Sequence, residues 1–86
     1  MDTPAVLERL WSTVIQPVSR EFPALLVLPI AETHFSGPLV GVAIRCRPSA
    51  VSLSRRVIFE DGAMDVDAVR EVAAELDVHR RRIELG

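Results

Sequence analysis

The 86-residue chain has no lysine, no asparagine and no tyrosine, and only one glutamine. All ten basic residues are therefore arginine. Together these absences read as the codon usage of a high-GC genome of bacterial type, so the choice of arginine over lysine carries little functional weight. Arginine nonetheless binds carboxylate and phosphate through two parallel hydrogen bonds where lysine offers a point charge. Cys46 is the only cysteine. No internal disulfide can form, and a reducing compartment is expected. Aromatics are scarce: Trp11, Phe22, Phe35 and Phe59 are the full set. The core must be built mainly from Val, Leu, Ile and Ala. No uncharged apolar stretch approaches the roughly 20 residues of a membrane span. Asp2 and Glu8 sit where a signal peptide would carry basic residues. The expectation is a cytoplasmic protein that does not enter a membrane.

The charge is sorted along the chain. Arg45, Arg47, Arg55 and Arg56 form one basic block, and Arg80, Arg81 and Arg82 form another. Between them, residues 61–77 carry six acids against the single base Arg70. A net charge of −2 thus hides two basic segments around an acidic one. With 49% hydrophobic and 26% charged residues the composition is globular. The length fits one domain spanning residues 1–86. So short a chain buries only about 60–65% of its unfolded surface, so association with a second copy would add stability.

Apolar periodicity gives the elements. Thr3-Pro4 opens a helix, with Pro4 at the first helical position where its missing N–H is not needed. Val6, Leu7, Leu10, Trp11, Val14, Ile15 and Val18 recur at three- and four-residue steps and predict one apolar face. Pro17 predicts an end or kink near Gln16. Residues 25–30 read as a first strand, residues 31–38 as a loop, and residues 39–47 as a second strand with Val40, Val42, Ile44 and Cys46 on one face. Residues 51–60 read as a third strand. Strict alternation places Arg55 on its apolar face, which predicts either a bulge or a strand end overhanging the core. Asp65 caps a second helix with apolar positions Val66, Val69, Val72, Ala73 and Leu76, expected to end at Asp77-Val78. Asp67, Glu71 and Glu75 line its other face. Residues 79–85 read as a closing strand, with a short basic helix as the alternative. The fold class is an α+β two-layer sandwich of order α-β-β-β-α-(β), its antiparallel sheet covered by both helices on one face.

No catalytic constellation emerges. Cys46 shares strand parity with Val42 and Ile44, which predicts a core thiol and not a nucleophile. Glu32 and His34 lie in one loop without a second ligand pair, so neither a metal nor another cofactor is expected. The four glycines form no phosphate-cradling loop. The candidate partner-binding residues are the charged ones. Arg45, Arg47 and Arg56 alternate outward on the sheet, Asp67, Glu71 and Glu75 form the acidic column, and Arg80, Arg81 and Arg82 close the chain.

Two resemblances bear on nucleic acid. Residues 69–83, with paired small residues in the first helix, Asp77-Val78 at the turn and a basic segment ending in Ile83, resemble a helix-turn-helix. Asp77 stands at the turn position usually held by glycine. The α-β-β-β-α order resembles the double-stranded RNA-binding domain. That family presents basic residues at the start of its second helix, where this chain has Asp65, Asp67 and Glu71. The reading reached from sequence is a non-enzymatic protein–protein interaction module, an accessory, chaperone-like or regulatory subunit, expected to be a homodimer. The alternative is a nucleic-acid-binding protein using Arg80–Arg82 and the arginines of the sheet face.

Overall fold

The computed structural model describes residues 3–34, 37–46, 53–60 and 63–85. Helix α1 (Thr3–Leu10), a π segment (Trp11–Ile15) and α2 (Gln16–Glu21) follow without a break. Strands β1 (Leu25–His34), β2 (Gly37–Cys46) and β3 (Ser54–Phe59) come next, and α3 (Val66–Leu85) closes the chain. The sheet is an antiparallel meander of order β1-β2-β3. This is the expected α+β arrangement.

Of the end or kink expected near Gln16, the end does not occur. A proline ring clashes with the carbonyl four residues earlier and offers no N–H to it. Here the turn before Pro17 widens into π geometry, and the Gln16 N–H donates to the Trp11 carbonyl. Such single-turn widenings relieve a local conflict inside an otherwise α-helical run. The helix therefore continues to Glu21 and stops where Phe22 leaves helical geometry, its N–H donating to the Val18 carbonyl at 2.9 Å. Leu10, Val14, Ile15 and Val18 are buried, as periodicity predicts, whereas Leu7 and Trp11 face solvent.

The first hairpin is longer than its sequence suggests. β1 and β2 pair from Leu25↔Cys46 to His34↔Gly37, which absorbs most of the expected loop 31–38 into strand. Gly37 has φ +115°, a conformation that favours glycine, at the start of β2. Pro29 is tolerated because β1 is an edge strand. β3 pairs with β2 in unbroken register, so no bulge occurs near Arg55 within the described strand. Arg55, opposite Ile44, is exposed at the strand start and donates from Nη1 to the Ser54 carbonyl at 2.8 Å. The start of β3 therefore overhangs the core edge, the second of the two expected arrangements.

The C-terminal segment overturns the closing strand. α3 runs unbroken for 20 residues, through Asp77-Val78 to Leu85. Asp65 caps its start by accepting from the Ala68 N–H at 3.2 Å. Asp77 does not end the helix, because its carboxylate meets Arg80 and Arg81 one turn ahead. Ion pairs at that spacing support a helix.

The core lies between the helices and one face of the sheet. Leu25, Val27, Val40, Val42, Ile44 and Phe59 meet Leu10, Val14, Ile15 and Val18 from the N-terminal helix and Val69, Ala73 and Leu76 from α3. α1, the π segment and α2 pack on β1, while α3 packs on β2 and β3. Arg70 ties the helices together, its Nε donating to Glu21 Oε2 at 2.8 Å and its Nη2 to Oε1 at 3.2 Å.

Candidate contact surfaces

Strand geometry sends alternate side chains to opposite faces. The pairing register therefore places Leu26, Leu28, Ile30, Leu39, Ala43 and Ile58 on the face away from the helices. None of these residues belongs to the core cluster or packs against it. Ile30 is itself buried, Leu26, Leu28 and Leu39 are half-buried, and Ile58 is exposed. The open face is apolar at its centre and arginine-bearing at one end. Arg45, between Leu26 and Ser54 in the register, and Arg56, beside Ala43, are both exposed there. Neither guanidinium has an acidic partner among the described residues. Arg47 lies outside the described residues.

Sequence reading placed Arg45, Arg47 and Arg56 on this face and missed its apolar row. The signal was present in β1. Residues 25–30, Leu-Leu-Val-Leu-Pro-Ile, run apolar without alternation. Strands with that pattern are those buried on both faces. In β1 one face joins the core with the helices, and the other lies outside that core.

Gly41 lies at the centre of this face, between Ile30 and Ile58. A Cβ there would collide with the Val57 carbonyl oxygen and stand 3.0 Å from the Ile58 Cα. The glycine permits the close approach of β2 and β3.

The second surface is the outer side of α3. Val69, Ala73 and Leu76 point to the sheet. Glu71, Glu75, Val78, Arg82 and Leu85 share the opposite side, at steps of four and three residues, and all are exposed. A shallow groove lined by Val78, Arg81, Arg82 and Leu85 lies on the last turns. Asp67 sits in the first turn, 3.7 Å from Arg70 Nη1.

The C-terminal arginines are not equivalent. Arg80 turns inward, its side chain only 14% exposed. Its Nε and Nη2 donate to Asp77 Oδ1 at 3.1 and 3.0 Å, and its Nη1 donates to Glu84 Oε2 at 2.6 Å. Arg81 Nη2 lies 2.9 Å from Asp77 Oδ2 with its side chain largely in solvent. Arg82 is exposed and has no acidic partner among the described residues. Asp77 is thus a buried hub for two arginines, which sequence reading did not single out. Its spacing of three and four residues to Arg80 and Arg81 was the available signal.

Arg45 and Arg56 occupy the open sheet face, whereas Arg80 turns into the helical layer, close enough to Cys46 at the end of β2 for its charge to act on the thiol. An unbroken α3 also removes the helix-turn-helix resemblance, which required a turn at Asp77-Val78. Cys46 is half-buried at the end of β2. Burial pushes its thiol above the ordinary value, opposed by the nearby Arg80 charge and assisted by Asp77 and Glu84. No group of three or more His, Cys, Asp or Glu side chains able to hold a metal gathers among the described residues. No helix among them is long and apolar enough to cross a membrane. No protein-family profile, curated protein or solved structure matches the chain.

Proposed function

We propose that this protein is a small non-enzymatic protein–protein interaction module, an accessory, chaperone-like or regulatory subunit of the cytoplasm, that works as a homodimer. The observation that carries the reading is the open sheet face, where Leu26, Leu28, Leu39 and Ile58 surround the buried Ile30 and stand outside the core formed with the helices. Contiguous apolar surface rimmed by polar groups is the usual mark of a contact site. The occupant is a protein whose apolar contact surface is edged by carboxylates. Branched aliphatic side chains fit the first part, and the unpaired guanidiniums of Arg45 and Arg56 fit the second.

Nucleic acid suits this face less well. Sheets that bind single strands stack bases on aromatic side chains, and the outward positions of β1, β2 and β3 carry none. The C-terminal block is partly neutralised by Asp77 and Glu84. Self-association draws support from the exposed Trp11, Val78, Ile83 and Leu85, 56%, 44%, 55% and 88% accessible on a chain of this size.

The test compares cross-linked partners of the wild type with those of Ile58→Arg, which changes the open face alone. A defined protein captured by the wild type and lost with Ile58→Arg supports the reading. Identical captures would overturn it, as would retention on single- or double-stranded nucleic acid that weakens steeply with salt.

A further inference from the structure

The outer face of α3 carries charge of one sign on each half. Glu71 and Glu75 occupy its N-terminal half, Arg82 its C-terminal half, and Val78 lies between them. We propose that this face is the dimer contact, with a second copy of α3 laid antiparallel across it and the two-fold axis at Val78. The proposal rests on the homodimer reading above and names its surface.

Three observations point to a second copy in this orientation. First, the sorted charge is self-complementary only when antiparallel. With Val78 facing Val78, Glu75 of each copy falls opposite Arg81 and Arg82 of the other. A parallel pair would set Glu75 against Glu75 and Arg82 against Arg82, and like charges held together in an interface suppress the pairing. A two-fold interface has this self-complementarity by construction.

Second, the spacing is that of a helix-pairing seam. Glu71, Glu75, Val78, Arg82 and Leu85 follow alternating steps of four and three, which keep one stripe facing a partner helix over several turns. Val78 is 44% exposed and Leu85 is 88% exposed, and together with the stems of Arg81 and Arg82 they line the groove on the last turns. Long arginine stems cover apolar surface while their charged heads reach outward.

Third, the charges on this seam are available. Arg82, Glu71 and Glu75 have no ion-pair partner among the described residues, whereas Arg80, which does, is turned away from the seam toward Asp77 and Glu84. The helix buries its own arginine where the protein body needs it and leaves Arg82 for an external acid. A contact of two helical faces is at the small end of stable interfaces, so the dimer dissociates on dilution and weakens as salt rises.

The experiment uses the full chain and measures mass in solution for four proteins: wild type, Glu75→Arg, Arg82→Glu, and the Glu75→Arg/Arg82→Glu double variant. Circular dichroism confirms the fold of each. The expected result is a dimer for the wild type, monomers for both single variants, and a dimer again for the double variant, whose swapped charges remain complementary. In parallel, Val78→Cys is made in a Cys46→Ser background, so that the introduced thiol is the only one, and is then oxidised. Mass spectrometry is expected to find a disulfide joining position 78 of one copy to position 78 of the other. If the wild type is a dimer that both single variants retain, and no such link forms, the α3 contact is overturned while the homodimer survives on another surface. If the single variants dissociate but the double variant is not restored, the antiparallel pairing is overturned. If the wild type is monomeric at every concentration, the homodimer reading falls, and this proposal with it.

Discussion

Asp77 and Arg80 stand one turn apart on α3 and form an ion pair largely withdrawn from solvent, with side chains 8% and 14% exposed. The same carboxylate holds Arg81 through its other oxygen, so a single acid keeps two arginines of the C-terminal block in place. Asp77→Asn replaces the carboxylate with a neutral amide that cannot balance either charge. The expected outcome is a lower melting midpoint and faster hydrogen exchange of the amides in residues 78–85, with the rest of the core protected. Unchanged exchange in those turns would mean that the pair does not hold the end of α3. Glu21→Ala, by contrast, breaks a pair whose side chains are about half exposed and shifts the midpoint little.

The two faces of the sheet predict opposite responses to truncation. Val42 and Ile44 are fully buried on the core face. Ile44→Ala should cost about 2–5 kcal/mol through lost transfer energy and the cavity left behind. Ile58 is 40% exposed on the open face. Ile58→Ser should change chemical-denaturation stability by less than about 1 kcal/mol, within the range of surface substitutions, and raise solubility. A comparable loss at both positions would mean that the open face is covered within the same chain.

Gly41→Val places a side chain against the Val57 carbonyl and the Ile58 backbone. The two strands cannot separate without breaking their ladder, so the expected destabilisation is about 3 kcal/mol, the upper end of overpacking effects. Denaturant titration measures it. A Gly41→Val protein as stable as wild type would contradict the close approach of β2 and β3.

Cys46 gives a prediction in pH. Its folded thiol holds its proton to higher pH than the ordinary value of 9.0, chiefly because of burial. The unfolded chain ionises first, so the folded state binds more protons within that window. Stability contributed by this group is complete below the ordinary value and falls as pH rises from there toward the raised value. Cys46→Ser should flatten this alkaline loss. At neutral pH, a thiol reagent should label Cys46 more slowly in the folded protein than in the denatured chain. Equal rates would contradict the shielding.

The layer arrangement was legible in sequence because it depends on local periodicity. Val40, Val42 and Ile44 alternate, Val69, Ala73 and Leu76 recur at helical steps, and Asp65 stands where a cap is needed. Three misreadings share one cause, the override of a local signal by a partner elsewhere. Pro17 reads as an end or a kink, and the helix does not end because the turn before it widens while Val18 stays buried in the core. Residues 31–34 read as a loop, yet β2 supplies a pairing partner for each. Asp77-Val78 reads as a turn because aspartate disfavours helix interiors, but Arg80 and Arg81 satisfy its charge from the next turn. The candidate charges were found, and their division between two layers was not. Periodicity within one strand or helix does not place a sheet end relative to a helix end.

Sedimentation equilibrium of the unmodified protein across a wide concentration range asks whether this chain meets protein surfaces, and first of all its own copy. The expected result is a reversible shift with dilution from twice the 9.5 kDa chain mass toward the monomer, with the midpoint moving to higher concentration as salt is added. A mass fixed at 9.5 kDa across the whole range would contradict it.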